Sequence, residues 1–215
     1  MDTPSIPSII PILPLPHLVI FPQIQVSLHV PRSFYDHVKE EAFPDPPKAE
    51  CFLGIVLRKI QPISETTILP IGCVGKVVRC YNLPCGQTVH LDLHGLKRFR
   101  MEEGWFEDGY GQARIEVLED LPGGLHEERR RHLLETFKDL GLMKWMPGLE
   151  DHIKAGMDDE GLLNLLCFES DLPPLEKYFL LEAEDLNQRC GRLLDLLRFR
   201  IQDTQSSRGS CQKER

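Results

Sequence analysis

The sequence lacks an excess of positive charge: 25 Lys and Arg face 33 Asp and Glu, for a formal net charge of −8. Such a chain has no general attraction for nucleic acid or anionic lipid. It also lacks a paired cysteine motif, since its seven cysteines are odd in number, scattered and free of any CxxC spacing. That pattern argues against a disulfide framework or a zinc ribbon, and Cys51, Cys73 and Cys190 read as small core residues in apolar runs. No Lys or Arg precedes Arg32, so the apolar stretch "LPLPHLVIFP" (Leu13 to Pro22) has no cationic flank of the kind a secretory leader needs. Nor does it suit a transmembrane helix, because Pro11, Pro14, Pro16 and Pro22 would each remove a backbone donor. A cytoplasmic location with no membrane association is expected.

The signatures of common chemistries are missing too. Gly75-Lys76 is followed by Val77, where a phosphate loop needs Ser or Thr, and no Gly stands five residues before Gly75. "HEERRRH" (His126 to His132) has Arg130 where a zinc-protease helix needs its second His, and so reads as a charged helix start. His90, Asp92 and His94 alternate onto one strand face as potential ligands. Residues two apart in a strand are about 7 Å apart, which disfavours convergence on one ion. No catalytic residue, metal or cofactor is therefore expected, and the chain reads as a non-enzyme.

What is present is a core-forming composition, 41% hydrophobic, and a change of period along the chain. "IQVSLHV" (Ile24 to Val30) alternates strictly, with Ile24, Val26, Leu28 and Val30 on one face, as a half-buried strand does. Similar segments are "CFLGIVL" (Cys51 to Leu57), "IGCVGKVVRCY" (Ile71 to Tyr81), "QTVHLDLHG" (Gln87 to Gly95), "LKRFRM" (Leu96 to Met101) and "ARIEVLE" (Ala113 to Glu119). "NLPCG" (Asn82 to Gly86) predicts a hairpin turn, and Ser33 to Phe43 a short helix ended by prolines. After "LPGG" (Leu121 to Gly124) apolar residues recur at helical spacing. Helices are predicted around Leu133 and Phe137, around Leu162 to Phe168, from "SDLPPLEKYFLL", and from Leu186 to Ile201 with Asp185 and Gln188 as a capping box. The expected fold class is segregated α+β: a strand-rich domain over 1–123, a helical bundle over 124–202, and a disordered tail over 203–215.

Three blocks in this order resemble the N-terminal, substrate-binding domain of the Lon protease family. They are "PILPLPHLVIFPQIQVSLHVPRSF" (Pro11 to Phe34), "IGCVGKVVRCYNLPCGQTVHLDLHGLKRFRM" (Ile71 to Met101, with Gly95 and Arg98 at characteristic places) and "KYFLLEAEDLNQRCGRLLDLL" (Lys177 to Leu197, with Asp185 and Arg189). The resemblance implies a PUA-like β pseudo-barrel followed by a helical bundle. It implies recognition without the ATPase and peptidase modules of full Lon proteases, with unfolded or peptide-like protein segments as partners. A separate protease to which the chain delivers substrates is an alternative partner, and RNA binding a second alternative, motivated by the fold and by Lys97, Arg98 and Arg100.

The matching positions Phe21, Pro22, Gly75, Gly86, Gly95 and Asp185 read as structural. Candidate peptide-binding residues are instead Arg32, Phe34 and Tyr35 in "VPRSFYDH", and Trp105, Phe106 and Tyr110 in "GWFEDGY", taken as a hairpin loop. For Phe34 and Tyr35, closing the core is the competing reading. The first strand, with its prolines, is expected to tolerate an edge position.

Overall fold

The structure is a computed structural model that describes residues 5–36, 51–59, 67–84, 86–107, 110–119, 123–142 and 156–210, with backbone alone for 107, 110 and 201–210. Its strands are β1 (Ile9–Leu15), β2 (Gln25–Pro31), β3 (Phe52–Lys59), β4 (Thr67–Asn82), β5 (Thr88–Glu107) and β6 (Tyr110–Leu118). Its helices are α1 (Glu127–Asp139), α2 (Asp159–Glu169), α3 (Pro174–Leu181) and α4 (Leu186–Ser210). Residues 32–36 are also helical; the rest of the helix predicted to Phe43 lies outside the described residues. The class is α+β.

Strand order is β2-β5-β4-β3-β1-β6, and β6 pairs back onto β5. Five strands thus close into a ring, with β2 attached to the first part of β5. The closure depends on the length of β5, a single strand of 20 residues where the sequence pattern shows two shorter ones. Its first half pairs with β2 from Thr88 to His94, and its second half with β6 from Arg98 to Glu107. Trp105 and Phe106 belong to this strand, opposite Gln112 and Gly111, and not to a loop.

β1 is not an edge strand, contrary to what its prolines suggest. It pairs antiparallel with β6 from Ile9 to Ile12 and parallel with β3 from Ile12 to Leu15. The two ladders overlap only at Ile12, so at Pro11 and at Pro14 the strand has a partner on one side alone. A missing N–H at those positions costs no ladder bond on the open side.

Ile10, Ile12, Phe52, Val56, Val74, Phe99, Ala113 and Ile115 fill the core that these strands share. Each fully buried aliphatic or aromatic side chain contributes about 1.5–3 kcal/mol. β2 shows the alternation predicted for it: Val26 and Val30 are buried, while Gln25, Ser27 and His29 are exposed. The turn before it carries Pro22 and Gln23, with Gln23 at φ 63° and the Ile24 amide donating to the Phe21 carbonyl at 3.3 Å. Proline first and positive φ second is the pattern of a type II turn.

The chain divides into two compact units, Met1–Glu119 with Asp171–Leu181, and Asp120–Ser170 with Glu182–Arg215. α3 therefore groups with the strands. Within that first unit the Tyr178 hydroxyl accepts from the Ile71 amide at 3.4 Å, and Arg98 Nη1 donates to the Leu181 carbonyl at 2.8 Å. A cation on the last carbonyls of a helix is favoured by both hydrogen bonding and the helix dipole.

In the second unit, Asp158 caps α2 by accepting from the Gly161 amide at 2.7 Å, and Leu133 and Phe137 are the buried residues of α1. Asp185 accepts from the Gln188 amide at 2.7 Å, as a capping box requires, while the Gln188 side chain reaches the Glu184 amide at 2.9 Å. The buried Arg189 donates to Asn164 Oδ1 at 2.7 Å, so this polar pair is satisfied inside the helices. α4 runs on to Ser210, past Gln202 where its apolar stripe ends, so 203–210 are helical; 211–215 lie outside the described residues.

Candidate functional site

The two groups of candidate residues stand at opposite ends of β5. Arg32 lies beside its start, where the Arg32 amide donates to the Gln87 carbonyl at 2.8 Å, and Trp105 lies near its end.

At the first end Phe34 is fully buried and serves the core, so it is corrected from a binding anchor to a packing residue. Arg32 is engaged on several sides. Its Nε lies 3.0 Å from both carboxylate oxygens of Asp36, its Nη1 donates to Asn82 Oδ1 at 2.7 Å, and its guanidinium sits 5.7 Å over the Tyr35 ring. Tyr35 bonds the Cys80 side chain, and burial followed by Cys80 raises its phenol above the usual value. Burial likewise raises the Cys80 thiol, against the lowering effect of Tyr35 and Arg32. Such a cluster holds the chain after β2 against β4 and leaves little for a ligand to recruit.

The second end differs. Trp105 is 54% exposed, although aromatic rings of that size are buried on average. Strand alternation and the β5–β6–β1 register put it on one outer face with Gln112, Glu103, Arg114 and Ile9. Ile9 is 42% exposed, and the Arg114 guanidinium and Glu103 carboxylate approach to 4.0 Å. Phe106 points to the other side and packs against the core cluster, which removes it from the candidate surface. Gly111 makes room for this edge: a β-carbon there would fall 1.8 Å from the Trp105 carbonyl oxygen. Tyr110 opens β6, and its side chain lies outside the described residues.

The outer face of β2, β5 and β4 carries a polar network. The Ser27 hydroxyl donates to Asp92 Oδ1 at 2.6 Å, His90 Nε2 lies 2.9 Å from the same oxygen, and His29 Nε2 lies 3.1 Å from His90 Nδ1. The Tyr81 ring stacks on His90 with centroids 4.5 Å apart, and Arg79 Nε is 3.7 Å from Asp92 Oδ2. The Ser27 hydrogen bond, then that of His90, holds the Asp92 carboxyl below the usual carboxylate range. His94 takes no part in these bonds. Among the described residues no three His, Cys, Asp or Glu side chains are grouped to hold a metal.

Of the basic cluster at Lys97, Arg98 and Arg100, only Arg100 is exposed without an ion pair among the described residues. Arg98 is buried against α3, and Lys97 pairs with Glu119 at 2.6 Å. Sequence reasoning also missed Leu175 and Phe179, which are 49% and 43% exposed one turn apart on α3. Their helical spacing was visible, but an apolar residue in a helix reads by default as core.

Comparison with known proteins agrees with this architecture. The family profile of the ATP-dependent protease La (LON) substrate-binding domain matches residues 9–198. A Lon protease of Cytophaga hutchinsonii is 26% identical over 211 residues, covering 94% of this chain and 25% of that protein. One of Parabacteroides distasonis is 30% identical over 198 residues, covering 87% of this chain and 23% of that protein. The chain thus spans about a quarter of the length of these relatives. Among solved structures, a Lon N-terminal domain protein from Xanthomonas campestris superposes with a TM-score of 0.62 at 20% identity, covering 87% of this chain and 97% of that one. The N-terminal domain of a Mycobacterium avium complex Lon protease does so with a TM-score of 0.62 at 18% identity, covering 88% and 97%.

Proposed function

Because this chain belongs to the LON substrate-binding domain family, we propose that it is a non-catalytic module that binds unfolded or peptide-like protein segments. The observation that carries the reading is Trp105, half exposed on a regular strand with Ile9 on the same sheet face. A large amphipathic ring on a rigid element offers contact area with little conformational entropy to lose, which is the usual composition of an interface anchor. The Arg114 and Glu103 pair beside it supplies a polar rim. An extended segment with an apolar side chain every second residue suits such a face.

As an alternative partner, a separate protease receives what this module binds, and the cytoplasm is the compartment we assign to the protein. Five free cysteines among the described residues favour a reducing environment. The test is an array of overlapping peptides from unfolded proteins, probed with the full chain. Binding to apolar segments, weakened by Trp105→Ala, is the expected result; an array with no bound segment overturns the reading.

A further inference from the structure

On the outer face of β2, β5 and β4, directly opposed residues form three cross-strand rows: Gln25, His94 and Lys76; Ser27, Asp92 and Arg79; His29, His90 and Tyr81. We propose that His29 and His90 form a two-imidazole site for a divalent transition metal of the zinc class, with Asp92 as a positioning residue behind His90.

The protonation pattern follows from the hydrogen bonds. An ionised carboxylate can only accept, so the His90 nitrogen facing Asp92 Oδ1, Nε2, carries the proton. In the neutral ring Nδ1 then holds the lone pair, and it receives the N–H of His29 Nε2 at 3.1 Å. A carboxylate behind a histidine whose other nitrogen binds a metal is the arrangement that fixes tautomer and ring orientation in many metal centres. On metal binding His29 moves its proton to Nδ1, which frees the Nε2 lone pair.

The distances fit this exchange. Two nitrogens at about 2.0–2.1 Å from a tetrahedral zinc ion stand about 3.4 Å apart, a few tenths of an ångström from the gap already present. The rings are tilted by 57° with centroids 5.2 Å apart, and the movement that turns the two nitrogens toward one ion falls on the His29 side chain. Tyr81, stacked at 22° on His90, limits that ring to its present plane. His29 and His90 are neighbours across a ladder, so the backbone need not distort, in contrast to the set His90, Asp92 and His94 along one strand.

Nitrogen ligands select zinc, copper or nickel over magnesium and calcium, which require oxygen. Arg79 beside Asp92 reinforces this selection by countering the carboxylate charge. With two protein ligands the remaining positions fall to solvent, so the site binds more weakly than a closed structural zinc centre.

The test is calorimetric titration of the metal-stripped full chain with Zn²⁺ at neutral pH, with Mg²⁺ as a comparison. One saturable Zn²⁺ site is expected, weakened at least about tenfold by His29→Ala and by His90→Ala, and about 10- to 100-fold by Asp92→Ala, which removes the acceptor that orients His90. His94→Ala should leave the affinity unchanged. In the wild-type chain, ring proton resonances of His29 and His90 should respond to Zn²⁺ before those of other histidines, a readout that survives if a variant fails to fold. Absence of saturable binding, unchanged binding in His29→Ala, or ring resonances that do not move overturns the proposal.

Discussion

A β-carbon placed on Gly95 would lie 2.4 Å from the carbonyl oxygen of Phe21. The two segments are locked there by reciprocal bonds, Gly95 N–H to the Ile24 carbonyl and Gln23 N–H to the Gly95 carbonyl, each 2.8 Å. The obstructing atom belongs to the backbone, so no side-chain rotation relieves it. Gly95→Ala should therefore destabilise the chain by about 3 kcal/mol, at the upper end of ordinary overpacking. A fall in the urea midpoint with an unchanged slope checks this.

Gln23, in the same turn, should respond in the opposite direction. Its φ of 63° lies in the left-handed region, which costs a side-chain-bearing residue roughly 1 kcal/mol or more. Glycine removes that strain but adds freedom to the unfolded chain, so Gln23→Gly should gain about 0.5–1 kcal/mol. A thermal melt that does not rise would show that the Gln23 backbone bond to Gly95 already holds the turn without strain.

The strands and helices of this fold were readable because their periods are clean: β2 alternates in the structure as it does in the sequence. What was not readable arises from pairing across the chain. β5 looks like two strands because Gly95 and Leu96 interrupt its alternation, yet it continues through them, since the register shift between Val74 and Gly75 on β4 accommodates Leu96 as an extra residue. The prolines of β1 imply an edge, and only the split pairing to β6 and β3 explains how an interior strand accommodates them. Of the candidate site residues, local sequence could not separate the buried Phe34 from the exposed Trp105, because both are aromatic residues in polar surroundings. His29 and His90 are 61 positions apart and meet only through the β2–β5 register.

Asp92 gives the acid limb of stability a defined sign. Its folded pKa is depressed by Ser27 and His90, so the folded state binds fewer protons there than the unfolded chain. The resulting stabilisation is fully present above the ordinary aspartate value of about 3.9 and is lost as pH falls through the lower folded value. Asp92→Asn keeps an acceptor for both neighbours but does not titrate. Its stability difference from the parent should shrink as pH falls below about 4; a difference that stays constant with pH would contradict this assignment.

Arg98 should behave as a structural cation. It is 4% exposed and donates to the carbonyl of Leu181 at the end of α3. Arg98→Met retains much of the side-chain volume but leaves that carbonyl without this donor, at a cost of about 1–3 kcal/mol. If Arg98 instead contributed to nucleic-acid binding, the variant would lose salt-sensitive RNA affinity. The expected result is lower stability in urea with RNA affinity negligible in both chains.

Trp105 offers the sharpest separation of stability from binding. Trp105 is 54% exposed, so truncation removes little from the core and should change stability by less than about 1 kcal/mol. As an interface anchor, however, it should account for about 2 kcal/mol of peptide affinity, close to a 30-fold loss in Trp105→Ala. Trp105→Phe, which preserves an aromatic face, should recover most of that loss. Phe179→Ala on α3 supplies the comparison, because it also removes an exposed aromatic ring but lies on another element of the same unit. Fluorescence anisotropy with a labelled array-derived peptide measures all three, and a larger loss for Phe179→Ala than for Trp105→Ala would move the binding surface from the β5–β6 face to α3.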